Sequence, residues 1–430
     1  MKSLPAKALR HSSTFLLVWS LLAGIPAAAV AGDVKVQSDT IFRFFERDTA
    51  SSSNAKVLPV YEYLQADFGK LDVKGVSLHL YGWGRADLGD GGYYRDDTRA
   101  HLTYAFLQYS GAANNFDLRL GRQYIFEGVA SASIDGVRLA TDLGPYFSLS
   151  AYGGWPVAFD TIHGRSGDSI YGGRLSHHLG NRYDVAISYQ KGRNDGTTED
   201  QRLGIDVALA LPAGIGIDGR STYNLETDGW GEHFYQAHFN YKELQLRPFF
   251  EKIQYRDFFA SGGQTPNPFR FLQHGAEGLT DYGAEATWSQ AANWEFGAKA
   301  KFYQYDVSHE SAGYYAALAT WHGAALTQVG GEVGYLKGDP AHNDYLIGRL
   351  FGYWDQPGGL KQAFVSGDVV YAAYDQAFFG EDRSIFLALG VGQRFLADRL
   401  ALKLSGDYSA DPNFTSDLRG MLVASYRFGQ

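Results

Sequence analysis

The carboxy-terminal stretch 383-RSIFLALGVGQRFLADRLALKLSGDYSADPNFTSDLRGMLVASYRF-428 repeats one unit three times. Apolar residues such as Ile385, Leu387 and Leu389 occupy alternate positions, and aromatic, small or polar residues lie between them. A period of two over about ten residues predicts a β-strand with one apolar and one mixed face. Because the same unit recurs along most of the chain, the sequence predicts an all-β fold, an antiparallel up-and-down transmembrane β-barrel.

The first 31 residues are typical of a cleaved export signal. Basic residues begin the segment, an apolar run covers residues 15–25, and Ala29-Val30-Ala31 offers a small-residue cleavage site before Gly32. The apolar run is shorter than the roughly 20 residues of a spanning helix, which disfavours a membrane anchor. We therefore expect residues 1–31 to be a cleaved signal peptide and residues 32–430 to form one barrel in the bacterial outer membrane.

Composition permits a barrel and narrows the possible chemistry. Mean hydropathy is only −0.26, which a barrel with a polar interior explains, and 29 Tyr, 28 Phe and 8 Trp suit membrane-interface girdles. The chain has no cysteine, so disulfides and covalently attached haem are excluded. We expect no cofactor and no metal site. The net charge of −9 gives no reason to expect a nucleic-acid partner.

Connections between the strands alternate in length, which predicts an even strand number of about 22, within a range of 18–22. Short connections are predicted at residues 69–72, 111–115, 142–146, 179–182, 211–214, 241–244, 290–293, 323–326, 355–360 and 396–399. Longer or weaker ones are predicted at residues 47–57, 87–100, 127–133, 156–168, 192–200, 225–230, 256–279, 307–312, 337–344, 373–382 and 409–417. The longer segments hold most of the acidic excess, which suits either divalent cations bridging lipopolysaccharide or simple solvation.

Strand parity assigns residues to two faces. Ile205 and its alternating neighbours should face lipid, since a charge there costs about 2–4 kcal/mol at the midplane. The opposite parity should line the interior. Its candidate lining residues are Arg85, Arg119, Arg138, Arg202, Asp206, Arg220, Glu251, Lys299, Lys301, Glu332, Asp368, Arg394 and Lys403. These charges could guide an anionic solute or could neutralise one another in cross-strand ion pairs.

One hairpin motif is more specific than the strand pattern. The segments 118-LRLGRQ-123 and 134-IDGVRL-139 resemble the LGRQ…DGV hairpin of porin-like outer-membrane barrels, including alginate-export-type channels. The resemblance implies a pore-forming barrel and leaves the solute open. Arg122 falls on the lipid-facing parity, so we expect a bulge or a position at the rim there.

The carboxy terminus suggests partners in assembly. Tyr426 and Phe428 alternate as barrel-assembly signals do, although Gly429 and Gln430 follow them. We therefore expect the barrel-assembly machinery, outer-membrane lipid and lipopolysaccharide as partners. An enzyme is not expected, because no Gly-x-Ser-x-Gly elbow is present. A metal site at His233 and His238 is not expected either, because residues five apart on a strand point to opposite faces.

A barrel of this width needs something to narrow its interior. The segment 256–279 is the candidate, since it combines aromatic mass with Gly and Pro turns; its constriction residues are Phe258, Phe259, Phe269, Arg270 and Phe271. Two functions follow. The chain could be a porin-like polar passage for solutes, or it could resemble the sheath of a porin–cytochrome conduit, with a multihaem cytochrome filling the barrel.

Overall fold

The computed structural model describes residues 33–48, 53–71, 74–157, 167–259, 277–290, 293–324, 326–339 and 344–429. The predicted signal segment, residues 1–31, lies outside these ranges. No helix among the described residues is long and apolar enough to cross a membrane.

The described chain is almost entirely strand. The strands are β1 (Asp33–Arg47), β2 (Ala55–Val57), β3 (Pro59–Gly69), β4 (Gly75–Asp87), β5 (Thr98–Ser110), β6 (Asp117–Glu127), β7 (Ala130–Leu143), β8 (Phe147–Pro156), β9 (Ser169–Leu179), β10 (Tyr183–Asn194), β11 (Thr197–Leu211), β12 (Ile215–Asn224), β13 (Gly229–Tyr241), β14 (Leu244–Gln254), β15 (Gly278–Gln290), β16 (Trp294–Tyr305), β17 (Ser311–His322), β18 (Gln328–Gly338), β19 (Tyr345–Asp355), β20 (Ala363–Phe378), β21 (Glu381–Phe395), β22 (Leu400–Asp411) and β23 (Phe414–Phe428). A short helix, α1 (Tyr255–Phe259), follows β14, and two 3-10 turns lie at Pro212–Gly214 and Pro357–Gly359.

The sheet closes on itself. Every wall strand pairs antiparallel with its neighbours in the chain, and β1 pairs with β23 from Val36 opposite Phe428 to Phe45 opposite Arg419. The three-residue β2 pairs only with the end of β1. Of the 23 strands, all but β2 therefore form the wall, which makes a closed barrel of 22 strands. The predicted fold class and strand number are confirmed.

The short connections lie where the sequence predicted them, but four of the longer segments are mostly strand. Residues 127–133, 192–200, 373–382 and 409–417 belong to strands joined by two-residue turns. Asp195-Gly196 and Phe379-Gly380 show why, since both residues of each turn have the positive φ that a tight hairpin turn requires. Polar composition misled the prediction, because a strand whose two faces are not both packed against lipid or protein can be polar on both faces.

Strand alternation produces one apolar and one polar face. Leu203 and Ile205 are exposed on the apolar face, while Arg202 and Asp206 make ion pairs on the other. Exposed tryptophans mark two levels of the apolar face: Trp288, Trp294 and Trp354 near the short turns, and Trp155 and Trp230 toward the opposite end. An apolar band between two aromatic girdles is the architecture of a bacterial outer-membrane barrel.

Candidate functional site

One hairpin of the wall leaves it. Pairing between β5 and β6 ends where Ala105 lies opposite Arg122, and pairing between β7 and β8 ends where Ile134 lies opposite Pro156. Beyond these points β6 and β7 still pair with each other as far as Glu127 opposite Ala130. Residues 123–133 therefore form a two-stranded ribbon without a strand partner on either side among the described residues. We call it the inner hairpin.

The tip of the inner hairpin contacts strands far from its own. The Val129 N–H donates to Ser188 Oγ at 3.1 Å, and the Val129 side chain approaches Gly204 so closely that a Cβ there would lie 2.4 Å from Cγ1. Ser188 and Gly204 are on the polar faces of β10 and β11, and the wall strands β8 and β9 lie between them and β7. A ribbon can reach its third and fourth neighbours only by crossing the concave side of the wall. The inner hairpin therefore lies inside the barrel, over the polar face.

An apolar cluster fixes the inner hairpin against the wall. Ile125 of the hairpin and Ile134, which follows it on β7, are fully buried. They pack with Ala130 and with Tyr152 and Ile170 of β8 and β9. Burial of each isoleucine contributes about 1.5–3 kcal/mol. Since these residues form the hydrophobic core cluster of the described chain, the inner hairpin is an anchored element rather than a loose loop.

The opposite face of the inner hairpin presents aromatic rings. Tyr124 and Phe126 alternate with the buried Ile125, and their exposed fractions are 55% and 75%. Neighbouring side chains of a strand point to opposite faces. Because Ile125 packs against the wall, Tyr124 and Phe126 point away from it, toward the open interior.

The LGRQ…DGV segments form the bend at which the inner hairpin departs. Gly121 has φ +124°, and a Cβ there would lie 2.3 Å from the Ala105 carbonyl oxygen. Gly136 is as crowded, with the Gly153 carbonyl oxygen 2.1 Å from the Cβ position. Only glycine fits at two such places. The two glycines of the motif thus allow β6 and β7 to bend where the inner hairpin leaves the wall.

Arg122 makes hydrogen bonds to both neighbouring strands at the point where β6 separates from β5. Its guanidinium donates to both carboxylate oxygens of Asp135 at 2.8 Å and to the Leu102 carbonyl oxygen at 3.2 Å. A bulge or a position at the rim was expected at Arg122. The register of β6 with β5 is continuous up to that residue, so the first alternative is wrong. Arg122 is instead the last residue of β6 that pairs with β5, and it is buried despite its lipid-facing parity because the strand turns inward there.

We expect Arg122→Ala to destabilise the barrel by about 1–3 kcal/mol, because it leaves the Asp135 carboxylate and the Leu102 carbonyl without their donor. The measurement is the temperature at which heat-modifiable migration on gels is lost. Arg247→Ala is the matched control, since Arg247 pairs with Glu285 at 3.0 Å but is half exposed, and should cost under about 1 kcal/mol. Equal shifts in both variants would contradict the role given to Arg122.

Most of the predicted lining charges are neutralised in pairs on the polar face, as the structural interpretation expected. The pairs are Arg119–Asp117 (3.1 Å), Arg138–Asp117 (2.8 Å), Arg202–Asp200 (2.6 Å), Asp206–Arg174 (3.2 Å), Arg220–Glu232 (2.8 Å), Lys299–Glu332 (3.4 Å), Lys301–Glu285 (3.8 Å), Asp368–Arg349 (3.0 Å) and Arg394–Asp355 (3.1 Å). Arg85 donates to the Asp96 carbonyl oxygen at 2.7 Å. Glu251 and Lys403 have no ion-pair partner within the ranges that the structure describes.

The predicted constriction segment is only partly described. Phe258 and Phe259 lie in α1, with their ring centroids 4.8 Å apart, and Tyr255 stacks on Phe259 at 5.8 Å. Asn224 Nδ2 donates to the Asp257 carbonyl oxygen at 2.9 Å, which ties α1 to the end of β12. Phe269, Arg270 and Phe271 lie outside the described residues. The inner hairpin, which lies over the polar face, was missed because residues 127–133 were interpreted as a polar connection.

Comparison with known proteins gives weak structural similarities. No protein-family model matches the chain. No curated protein matches it either. Among solved structures, OccAB4 of Acinetobacter baumannii (TM-score 0.47, 11% identity) covers 94% of this chain and 100% of its own. A BenF-like porin from Pseudomonas fluorescens Pf-5 has a TM-score of 0.47 and 11% identity, and the match covers 93% of this chain and 98% of that one. The outer membrane protein OpdK of Pseudomonas aeruginosa has a TM-score of 0.47 and 10% identity, and the match covers 93% of this chain and 99% of that one. The fold rests on the strand pairing of the chain itself.

Proposed function

We propose that this chain is a porin-like outer-membrane channel, in which small solutes pass along the polar face and beside the inner hairpin. The observation that carries the proposal is the placement of that hairpin, whose tip contacts Ser188 and Gly204 on the polar face of the wall. Barrels of this strand number enclose a wide interior, so an anchored element within it sets the width of the passage.

The pairing of charges limits what the interior can select. Arg220 with Glu232, and Arg349 with Asp368, are close pairs on adjacent strands that cancel much of each other's field. Such a wall keeps water in the passage without strongly favouring one sign of charge. The proposal is therefore a polar passage of modest charge selectivity.

The sheath of a porin–cytochrome conduit is the second candidate and is less well supported. A sheath must leave room for a second folded protein. The inner hairpin and the apolar cluster of Ile125 and Ile134 occupy space that such a protein would need. Because the inner hairpin reduces the free width of the interior, small solutes are favoured as the molecules that pass through it.

Purified protein is expected to form stepwise, ohmic channels in planar lipid bilayers. The reversal potential in a salt gradient should be small, because the ion pairs leave little net charge on the wall. Proteoliposome swelling should show entry of small sugars and exclusion of large dextrans. Absence of conductance from protein that shows folded, heat-modifiable migration would overturn the proposed function.

A further inference from the structure

A strip of aromatic rings lies on the polar face of the wall, next to the predicted lining residue Arg85. The strip is carried by alternate residues of three adjacent strands, β3, β4 and β5, and we call it the aromatic strip. It consists of Tyr61, Tyr63, Tyr81, Trp83, Tyr104 and Phe106.

The rings contact one another in two groups, and Trp83 of one group and Tyr81 of the other are successive inward-facing residues of β4. Ring centroids of Tyr61 lie 6.1 Å from Tyr63 and 6.3 Å from Trp83. Those of Tyr104 lie 5.5 Å from Tyr81 and 5.6 Å from Phe106. Separations of this size are those of interacting aromatic pairs. Mutual contact restricts the rings, so a ligand that binds there meets a surface that is already ordered.

The aromatic strip is open to the interior and extends along it. All six rings are partly exposed. Phe106 lies opposite His79, which lies opposite Asp67, so Phe106 is at the level of Asp67. The strip therefore covers the distance from Tyr61 to Asp67 along β3, which is about 20 Å. At its outer end the Tyr61 hydroxyl contacts that of Tyr94 at 3.0 Å in the connection between β4 and β5. The strip therefore leads from the β4–β5 connection into the barrel.

Planar polar groups border the rings. Asp67 bonds to His79 at 2.7 Å and to Gln65 at 3.0 Å, and His79 stacks on Phe106 at 4.9 Å. Gln108 follows two residues after Phe106 on the same face. Amide, carboxylate and imidazole groups offer both donors and acceptors beside the rings. This combination suits a ligand with apolar faces and a rim of hydroxyls.

The cations near the aromatic strip are largely engaged. Arg119 pairs with Asp117 at 3.1 Å and lies over Phe106, and the Arg85 guanidinium lies 3.6 Å from the ring centroid of Tyr94. Arg43 is exposed near Tyr63. Arg99 lies opposite Arg85, so these two cations are at the outer end of the strip and not along its length. Recognition of an anionic ligand would call for a cluster of uncommitted cations. The surroundings favour a neutral ligand.

We propose that the aromatic strip is a binding track for neutral oligosaccharides, with sugar rings stacked on the aromatic faces and their hydroxyls bonded to the bordering polar groups. The C–H groups on the face of a hexose ring carry small positive charge and are attracted to the negative face of an aromatic ring. A strip longer than one sugar ring fits a chain of several. This inference rests on the proposed function, since the track serves a solute that passes through the barrel.

The test measures block of single-channel current in planar bilayers, using maltohexaose and cellohexaose as probes. At least one hexasaccharide should block the wild-type current in a concentration-dependent and saturable manner. Trp83→Ala combined with Tyr104→Ala should weaken the block about tenfold or more, and Trp83→Phe should retain most of it. Tyr303→Ala is the matched control, because Tyr303 lies on the polar face of β16, outside the strip, and should leave the block unchanged.

The outcomes separate this inference from the proposed function. Protein that folds but does not conduct would overturn the proposed function itself. Conductance without block by either hexasaccharide would overturn the oligosaccharide track and leave the channel intact. Block that is unchanged in the Trp83 and Tyr104 double variant would also overturn the track. So would block of the current by the anion benzoate when neither hexasaccharide blocks it.

Discussion

Shortening the inner hairpin is expected to raise single-channel conductance several-fold. The variant joins Gln123 to Ile134 through an Asn-Gly turn and so removes the tip that contacts Ser188 and the exposed rings of Tyr124 and Phe126. Conductance rises because the hairpin occupies cross-section that water and ions then fill. The measurement is the single-channel conductance in planar bilayers of protein that retains heat-modifiable migration.

Two further variants make this result specific. Shortening the β20–β21 hairpin around Phe379 and Gly380 by the same number of residues is the control, and it should leave conductance unchanged because that tip is exposed. Tyr124→Ala with Phe126→Ala keeps the hairpin anchored and should give a smaller increase. An unchanged conductance in the shortened, folded inner-hairpin variant would show that the hairpin does not limit the passage.

Leu389→Arg is expected to block assembly or to cost about 2–4 kcal/mol, while the neighbouring Ala388→Arg is tolerated. Leu389 is exposed on the apolar face near the middle of β21, where an arginine would lie in hydrocarbon. Ala388 faces the other way and lies opposite Asp368 on one side and Asp407 on the other. A cation at Ala388 therefore meets two carboxylates and water.

The measurement is the fraction of protein that reaches the heat-modifiable folded form in outer membranes. The two substitutions introduce the same side chain at adjacent positions, so differences in charge or size cannot explain a difference in assembly. Similar losses in both variants would mean that the two faces are wrongly assigned for this strand.

Periodicity predicted most of the fold. The alternation of Ile385, Leu387 and Leu389 is a local property, and a local property decides both the strand and the face that each side chain takes. The short turns were also predictable, because polar and glycine-rich breaks between apolar strands mark them. Strand number followed from counting these local units.

The inner hairpin was not predictable in the same way. Its sequence is compatible with a wall strand, and what distinguishes it is the loss of pairing partners on β5 and β8, which is a long-range property. Two local signs were Arg122 and its partner Asp135, which are charges on the lipid-facing parity of β6 and β7. Interpreted physically, such a charge indicates that the strand has left the membrane-facing wall at that residue.

The candidate site was predicted in part. Parity placed charges such as Arg220 and Lys299 on the polar face, but cross-strand register decides whether a charge is paired, and the sequence does not state that register. The aromatic strip was missed for a related reason. Tyr81 and Tyr104 were counted among residues suited to the girdles, although their alternation places them on the inside.

Pairing of the first wall strand with the last makes biogenesis an all-or-none event. Val36 and Phe428 lie at opposite ends of the described chain, so the seam between β1 and β23 cannot form until β23 has been translated and exported. A chain that is truncated before β23 would be an open sheet with two unpaired edges, the kind of surface that recruits other strands and aggregates. Partial products should therefore be targets for degradation rather than smaller working pores, and the cell would contain complete barrels or none.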